Sequence, residues 1–303
     1  MAGKFSEWHW EITTRCNLTC RHCIGCCSSN TPDGLSADQA IKAVRIMRDL
    51  GCEKLLITGG EPLVYPALLT VLNECRRQKI GVQILTNGFL IENSLAEQLS
   101  SFVEAMSVSL DGSTQEIHDF LRGAHSFKKA CRAIKLLSAY MPVTAFITAS
   151  RINIDDLENT IKLAFSLGAS RVHTSEVNLE GRAGENHHLF SLPGDKKRWL
   201  IQLAKRLTAD EETLTTCEAP ELCALFVNSQ GLVYPCSEIA FHNPRNFLGD
   251  TLEKGFRKAI TKAKVILSNN PANCRYQIYS GNNLVFTLNQ NQQCFLSRRN
   301  NHD

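Results

Sequence analysis

The sequence has no long hydrophobic run and no excess of charge of either sign. No stretch of about 18 apolar residues occurs, and the segment Met1–Ile12 lacks the apolar core of a signal peptide. The formal charge of +3 comes without a dense block of Lys and Arg, which argues against nucleic acid or anionic lipid as a partner. We therefore expect a cytoplasmic protein that binds neither nucleic acid nor membrane.

Cysteine, in contrast, is abundant, with 13 residues in the chain. A reducing compartment disfavours disulfides, so we expect metal-binding or catalytic roles for many of these thiols. They fall mainly into an N-terminal group from Cys16 to Cys27 and a C-terminal group from Cys217 to Cys294. Three others are interpreted as buried structural residues, which behave as small hydrophobes: Cys52, Cys75 and Cys131.

The N-terminal group contains the spacing C-x₃-C-x₂-C at Cys16, Cys20 and Cys23. Iron–sulfur clusters are held by cysteine thiolates, and the usual cubane takes four of them. Three cysteines on a short loop would leave one iron open to an exogenous ligand. A zinc site or a set of redox thiols is the alternative, although zinc sites usually show a second C-x₂-C pair or histidines downstream.

Strand and helix signals alternate from Leu35 to Leu192, which implies parallel strands with right-handed crossovers. Six such units predict an α/β fold, a partial (β/α)₆ barrel with its site at the carboxyl ends of the strands. We assign residues 1–192 to this barrel, and residues 193–303 to a linking helix and a small C-terminal domain. The predicted strands are Phe5–Ile12, Lys54–Thr58, Val82–Thr86, Ala105–Leu110, Val143–Ala149 and Val172–Val177. The predicted helices are Ser36–Leu50, Leu68–Arg77, Leu95–Phe102, Phe127–Tyr140, Leu157–Leu167 and Lys196–Leu207.

The segment Gly59–Pro62, with the sequence Gly-Gly-Glu-Pro, follows the second predicted strand. The two glycines permit backbone angles and close approaches that a side chain would block. Neighbouring backbone groups and Glu61 are therefore suited to receive a cationic amino group. A plain Gly-Gly turn ended by Pro62 is the alternative.

The cysteine spacing, its position after a first strand and the Gly-Gly-Glu-Pro segment resemble the radical S-adenosylmethionine (SAM) superfamily. The resemblance implies a [4Fe-4S] cluster on Cys16, Cys20 and Cys23, with SAM chelating the open iron. It further implies that a one-electron reductase of flavodoxin or ferredoxin type drives the cleavage of SAM to methionine and a 5′-deoxyadenosyl radical. That radical would abstract hydrogen from a substrate C–H bond.

Further segments resemble SAM-binding stretches of peptide-modifying members of this superfamily. One such segment is Ser109-Leu110-Asp111-Gly112 with the later Arg122-Gly123. Within it Ser109 and Arg122 would hold the methionine carboxylate, for which the arginine fork is suited. Gly181-Arg182-Ala183 resembles a sixth-strand motif near the adenosine. His22 stands where the superfamily often has an apolar aromatic residue, and its protonation adds a variable. The implied SAM-binding residues are Gly59, Gly60, Glu61, Pro62, Ser109, Arg122, Asn153 and Arg182.

The C-terminal cysteines resemble the auxiliary-cluster regions called twitch and SPASM domains. A predicted hairpin around Asn228–Gly231 separates Cys217 from Cys236 in the arrangement C-x₁₃-G-x₄-C. A full SPASM domain would continue with C-x₂-C-x₅-C-x₃-C, but only two cysteines remain. We therefore expect one auxiliary [4Fe-4S] cluster, with zinc as the alternative. Its implied ligands are Cys217, Cys236, Cys274 and Cys294.

Three cysteines remain without an assigned partner. Cys223 is a buried strand cysteine, a cluster ligand, or a catalytic thiol that donates a hydrogen atom to a substrate carbon radical and so inverts a stereocentre. Cys26 and Cys27 are structural residues, ligands of another metal, or redox-active groups.

The resemblance extends from Lys4 to about Leu252 and is strongest to SPASM/twitch peptide maturases. It implies an enzyme that abstracts hydrogen from a peptide during natural-product maturation, such as epimerisation or crosslinking. Because the cysteine motif begins as early as Cys16, we expect peptide recognition by a separate leader-binding protein or a short leader recognised directly. The alternatives are a carbohydrate or aminocyclitol epimerase or dehydrogenase, with a small-molecule substrate, and an iron–sulfur electron-transfer protein.

Overall fold

Six parallel strands that follow one another in chain order form the centre of the molecule. The structure is a computed structural model that describes residues 6–207, 214–215, 225–234, 249–250 and 285–289. The central strands are β1 (Glu7–Glu11), β2 (Lys54–Thr58), β3 (Gly81–Thr86), β4 (Ala105–Ser109), β5 (Val143–Ala149) and β6 (Arg171–Glu176). This arrangement confirms the α/β fold with a parallel sheet that the sequence predicts.

Helices connect the strands, and their ends follow local sequence signals. Ser36 caps the first helix: its hydroxyl accepts from the amide of Gln39, whose side chain in turn accepts from the amide of Ser36. The helices are α1 (Ala37–Asp49), α2 (Leu68–Arg77), α3 (Asn93–Ser100), α4 (Gln115–Arg122), α5 (Ser126–Leu137), α6 (Leu157–Ser166), α7 (Gly181–Glu185), α8 (His187–Phe190) and α9 (Gly194–Leu207). Short 3₁₀ turns cover Pro62–Val64 and Ile154–Asp156.

The two faces of the parallel sheet differ in chemistry. One face is apolar and buried, as Trp10, Ile57 and Val108 illustrate, and it belongs to the main hydrophobic core. The other face is half-buried and mixed, with polar side chains such as Thr58 and Thr148 beside apolar ones such as Phe146. The alternation along each strand thus separates a fully buried core face from a mixed, half-buried face.

C-terminal strands extend the sheet at both edges. On one side β8 (Leu225–Val227) pairs in parallel with β1 and forms a hairpin with β9 (Leu232–Tyr234), which in turn pairs with β10 (Gly249–Asp250). On the other side β11 (Val285–Asn289) pairs antiparallel with β6 and with β7 (Leu214–Thr215). The hairpin predicted around residues 228–231 is therefore confirmed.

Most predicted elements match the structure within a few residues, but the helices α4, α7 and α8 and the strands β7, β10 and β11 are additions. Thr114 caps α4 by accepting from the amide of Ile117, and Gly123 follows its last residue. The described helices include none that is both long and apolar enough to cross a membrane. Five cysteines with predicted roles lie outside the described residues: Cys217, Cys223, Cys236, Cys274 and Cys294.

Candidate metal-cluster site

The three N-terminal cysteines lie on an irregular segment between β1 and α1, residues 13–35, which we call the cluster loop. Cys16 is buried, and its sulfur accepts from the amide of Leu18 at 3.4 Å and from the side-chain amide of Asn87 at 3.9 Å. The thiol of Cys20 donates to the carbonyl of Arg122 at 3.7 Å. The loop thus contacts the segments after β3 and at the end of α4.

The thiols are close enough to influence one another's protonation. Burial raises the pKa of Cys16 to about 12 and also raises the pKa of Cys20. A hydrogen bond with the side chain of Cys27 lowers the pKa of Cys23 to about 6, and the same bond raises the pKa of Cys27. Cys27 is therefore a buried neighbour of a proposed cluster ligand, whereas Cys26 is exposed.

The Gly-Gly-Glu-Pro segment lies directly against the start of the cluster loop. The amide of Gly60 donates to the carbonyl of Thr13 at 2.8 Å, and that of Glu61 donates to the carbonyl of Arg15 at 2.9 Å. A Cβ at Gly59 would lie 2.3 Å from the oxygen of Thr13, and one at Gly60 2.2 Å from that of Arg15. The two glycines are required here because backbone packs on backbone.

The carboxylate of Glu61 is fully buried and fixes the segment after β3. One oxygen accepts from the hydroxyl of Thr86 at 2.7 Å and from the amide of Leu63 at 3.1 Å. The other accepts from the amide of Asn87 at 2.7 Å. Burial raises the pKa of Glu61, although these three donors oppose the shift. In this structure Glu61 therefore ties the ends of β2 and β3 together.

Asp111, which follows β4, is the centre of a buried charged network. Its carboxylate accepts hydrogen bonds from the Nε of Arg122 at 2.5 Å and from the amide of Thr148 at 2.8 Å. His22 of the cluster loop places its Nε2 3.4 Å from the same carboxylate. Burial alone would raise the pKa of Asp111, but the charge of Arg122 and the hydrogen bond from the amide of Thr148 contribute to lowering it overall. These contacts fix Arg122 next to Cys20. Ser109 is buried at the end of β4, two residues before Asp111.

Two histidines near Asp111 are held in their neutral form by burial. Burial lowers the pKa of His22 and of His118 to about 4. His118 accepts from the amide of Asp111 through Nδ1 at 3.1 Å. The Nδ1 of His22 is buried without a hydrogen-bond partner among the described residues, which leaves it available to a bound group.

Asn153 connects the ends of β4 and β5. Its side-chain amide donates to the carbonyls of Asp111 and Thr148, both at 2.9 Å, and its oxygen accepts from the amide of Ser150 at 2.7 Å. The side chain is buried. In this structure it holds the strand ends that carry the charged network.

Arg182, after β6, contacts the cluster loop from the opposite side. Its Nε donates to the carbonyl of Cys20 at 2.7 Å and its Nη2 to the carbonyl of Cys27 at 3.0 Å. Its backbone amide donates to the carbonyl of Cys23 at 3.1 Å. Gly181 has φ +55, and a Cβ there would lie 2.2 Å from the oxygen of Ile24. Residues distant in sequence therefore hold the loop on two sides.

Two residues at this site are absent from the sequence-based predictions. Asn87 joins the third strand end to the loop, since its amide also donates to Asn17 at 2.8 Å. Glu11, at the end of β1, is buried and accepts from the amide of Ser229 at 3.3 Å. Burial raises the pKa of Glu11 to about 7. Their position at the carboxyl ends of parallel strands is the signal that identifies them.

The chemistry of the cluster loop suits an iron–sulfur cluster. Its three cysteines offer the thiolate ligands that such a cluster takes, and a cubane with three protein thiolates has one iron left for another ligand. The Nδ1 of His22, which precedes Cys23, is a buried polar atom without a hydrogen-bond partner among the described residues, as expected beside a site for a bound group.

The three buried structural cysteines are accounted for separately. Cys52 and Cys75 are fully buried in the main core, and Cys131 is half-buried. Burial raises the pKa of Cys52 and Cys75 to about 12 and that of Cys131 to about 11. These values keep all three thiols protonated at neutral pH.

A parallel α/β sheet with a three-cysteine loop across its strand ends defines a cluster-binding class of enzyme. Residues 10–164 match the model of the radical SAM superfamily, and the chain belongs to that superfamily. It is 32% identical over 269 residues to mycofactocin maturase MftC of Mycobacterium tuberculosis strain CDC 1551, covering 81% of this chain and 67% of that protein.

Other comparisons give a relative with a different activity and a solved structure with a similar fold. The chain is 32% identical over 203 residues to the AdoMet-dependent heme synthase of Methanosarcina barkeri, or 65% of this chain, and spans only 58% of that relative's length. Among solved structures, SuiB of Streptococcus suis bound to precursor peptide SuiA is similar with a TM-score of 0.65 and 16% identity. That similarity covers 84% of this chain and 64% of SuiB, and it confirms the fold.

Proposed function

We propose that this radical SAM enzyme abstracts a hydrogen atom from a C–H bond of a peptide, in a natural-product maturation step such as epimerisation or crosslinking. The observation that carries the proposal is the similarity to a maturase along 81% of the chain. The SuiB structure contains a precursor peptide, and SuiB shares the fold. A peptide substrate is the common element of the proposal.

The residues of the site are assigned roles within this proposal. Cys16, Cys20 and Cys23 hold a [4Fe-4S] cluster, and Ser109 and Arg122 bind the SAM carboxylate. Arg122 is prepared for this role because Asp111 engages its Nε and fixes the guanidinium. With SAM bound, the cluster supplies one-electron reductive cleavage and hence the means of breaking an unactivated C–H bond.

The segment Gly59–Pro62 takes the amino end of SAM through backbone groups. Glu61 already accepts three hydrogen bonds from protein donors, so we assign it the task of shaping this segment. Asn153 supports the adenosine side from the end of β5. These residues orient SAM and exclude water from the open iron.

The C-terminal part of the proposal concerns residues outside those that the structure describes. Cys217, Cys236, Cys274 and Cys294 hold one auxiliary [4Fe-4S] cluster, and Cys223 donates a hydrogen atom to the substrate radical. A flavodoxin or ferredoxin supplies the electron, and a separate leader-binding protein presents the peptide. We assign the reaction to the cytoplasm, because 13 cysteines in one chain suit a reducing compartment.

The proposal is tested first by SAM cleavage. Reconstituted protein with SAM and dithionite should yield 5′-deoxyadenosine, and a Cys16→Ala/Cys20→Ala/Cys23→Ala variant should yield none. Synthetic peptides encoded beside the gene should increase the yield and, in deuterated water, gain deuterium if the reaction is an epimerisation. Absence of 5′-deoxyadenosine from the wild-type protein would contradict the enzyme assignment.

A second candidate follows from the similarity to AdoMet-dependent heme synthase. In that case the substrate is a haem precursor, and the same SAM cleavage assay distinguishes the two. Stimulation of 5′-deoxyadenosine formation by a haem precursor and by none of the peptides would favour this candidate.

A further inference from the structure

Arg182, after the sixth strand, binds three carbonyl groups of the cluster loop. Its Nε, Nη2 and backbone amide donate to the carbonyls of Cys20, Cys27 and Cys23 at 2.7, 3.0 and 3.1 Å. The carbonyls of Cys20 and Cys27 accept from the same guanidinium, whose positive charge offsets their partial negative charges. The guanidinium therefore stabilises this particular fold of the loop.

The preceding residue shows that the contact is tight. Gly181 lies so close to the carbonyls of Ile24 and Cys23 that a Cβ would approach them to 2.2 and 2.6 Å. Opposite, the amide of Arg21 donates to the carbonyl of Leu121 at 2.8 Å, and Cys20 contacts Arg122. The segment from Cys20 to Cys27 is thus held between the start of α7 and the end of α4.

The same guanidinium adds charge next to the proposed cluster ligands. Its contacts with the backbone of Cys20 and Cys27 place a positive charge beside the loop segment that carries two of the proposed ligands, Cys20 and Cys23. Lysine would retain the charge but not the fork that reaches two carbonyls at once. Glutamine would remove the charge.

We propose that Arg182 is a positioning residue that holds the cluster loop around its cluster and places a positive charge beside it. This assignment rests on the proposed function, because it presumes a cluster on Cys16, Cys20 and Cys23. It differs from the adenosine contact that the sequence motif implies, since the side chain is committed to the loop. Two consequences follow, one for cluster retention and one for the reduction potential, which depends on charge and hydrogen bonding near the cluster.

The test compares Arg182→Lys and Arg182→Gln with the wild-type full-length chain after anaerobic reconstitution. Iron release to a ferrous chelator gives the retention of the cluster, and an EPR-monitored redox titration gives its midpoint potential. The iron bound by the cluster loop is the difference in iron content between the wild-type protein and the Cys16→Ala/Cys20→Ala/Cys23→Ala variant. Arg171→Lys, at the exposed start of β6, is the matched control.

We expect both Arg182 variants to release this iron at least tenfold faster than the wild-type protein, with no change in Arg171→Lys. The midpoint potential should become more negative in Arg182→Gln and stay near the wild-type value in Arg182→Lys. The dissociation constant for SAM, measured on the loaded fraction, should change by less than threefold in Arg182→Lys.

Several outcomes would overturn the assignment. If both variants release iron at the wild-type rate, Arg182 does not position the loop. If they release iron at that rate and also bind SAM more weakly, Arg182 contacts the adenosine instead. Loss of far-UV circular dichroism in both cluster-free variants would mean that Arg182 serves the whole fold rather than the loop. If the wild-type protein itself binds no iron on this loop, the proposed function fails, which is a distinct result.

Discussion

Two segments hold the cluster loop, one after β2 and one after β6, and they use different chemistry. The segment at Gly59 and Gly60 packs backbone on backbone, and its acidic side chain turns inward to β3. The segment at Gly181 and Arg182 combines one close glycine with a guanidinium that reaches loop carbonyls. The first contact joins the end of a sheet strand to the loop through backbone alone, whereas the second adds the charge of a side chain.

The largest effect is expected from Gly60→Ala, which breaks the backbone contact after β2. The new Cβ would lie 2.2 Å from the oxygen of Arg15, and neither backbone has room to shift. We expect the free energy of unfolding to fall by more than about 3 kcal/mol. Urea denaturation of the cluster-free protein measures this change.

Gly51→Ala is the control for that substitution. Gly51 has φ +95, and an added Cβ would meet nothing within 4 Å, so only backbone strain of about 1–2 kcal/mol is expected. Equal losses in the two variants would show that the close contact at Gly60 has no special importance.

A smaller effect is expected from Glu61→Gln, which alters the same segment through its side chain. The new amide group would face the amide of Asn87, which now donates to the carboxylate at 2.7 Å. Two opposed donors should lower the free energy of unfolding by about 1–3 kcal/mol. Glu97→Gln on the exposed face of α3 should change it by less than about 0.5 kcal/mol, and similar values for both variants would contradict the role of Glu61.

Gly181→Ala acts on the contact after β6. Its Cβ would lie 2.2 Å from the backbone oxygen of Ile24, as close as the contact at Gly60, and its left-handed φ of +55 adds backbone strain. We expect the free energy of unfolding to fall by about 3 kcal/mol. Because the added Cβ would clash with the cluster loop, iron release should accelerate. Gly168→Ala, with φ +101 and a close approach only to the side chain of Ser138, should destabilise less and leave iron release unchanged. Equal release from both variants would contradict the comparison.

The sequence predicts the strands and most helices because amphipathic periodicity and strong end signals agree. The strands Lys54–Thr58 and Val143–Ala149 have the predicted bounds. The helix α4 is absent from the predicted elements, although Thr114, the i, i+4 pair of Ile117 and Leu121, and Gly123 carry the signals of a capped helix. It spans only eight residues, so its apolar periodicity is short.

The site is predictable only in part, for a physical reason. Spacing identifies Cys16, Cys20 and Cys23 because the ligands are neighbours in sequence. The contacts of Arg182 with Cys20 and Cys27 join positions 162 and 155 residues apart, and no local pattern encodes such a pairing. The orientation of the Glu61 side chain toward the end of β3 likewise depends on the position of that strand, which the Gly-Gly-Glu-Pro motif does not encode.

The pairing of β1 with β8 has a consequence for how the chain is made. Glu11 and Ser229, which meet at this edge, are 218 positions apart, so β1 is synthesised well before the strand β8 that pairs with its outer edge. Until β8 pairs, β1 exposes unpaired backbone groups with which another chain can pair. A translation product that stops before residue 225 should therefore self-associate through β1.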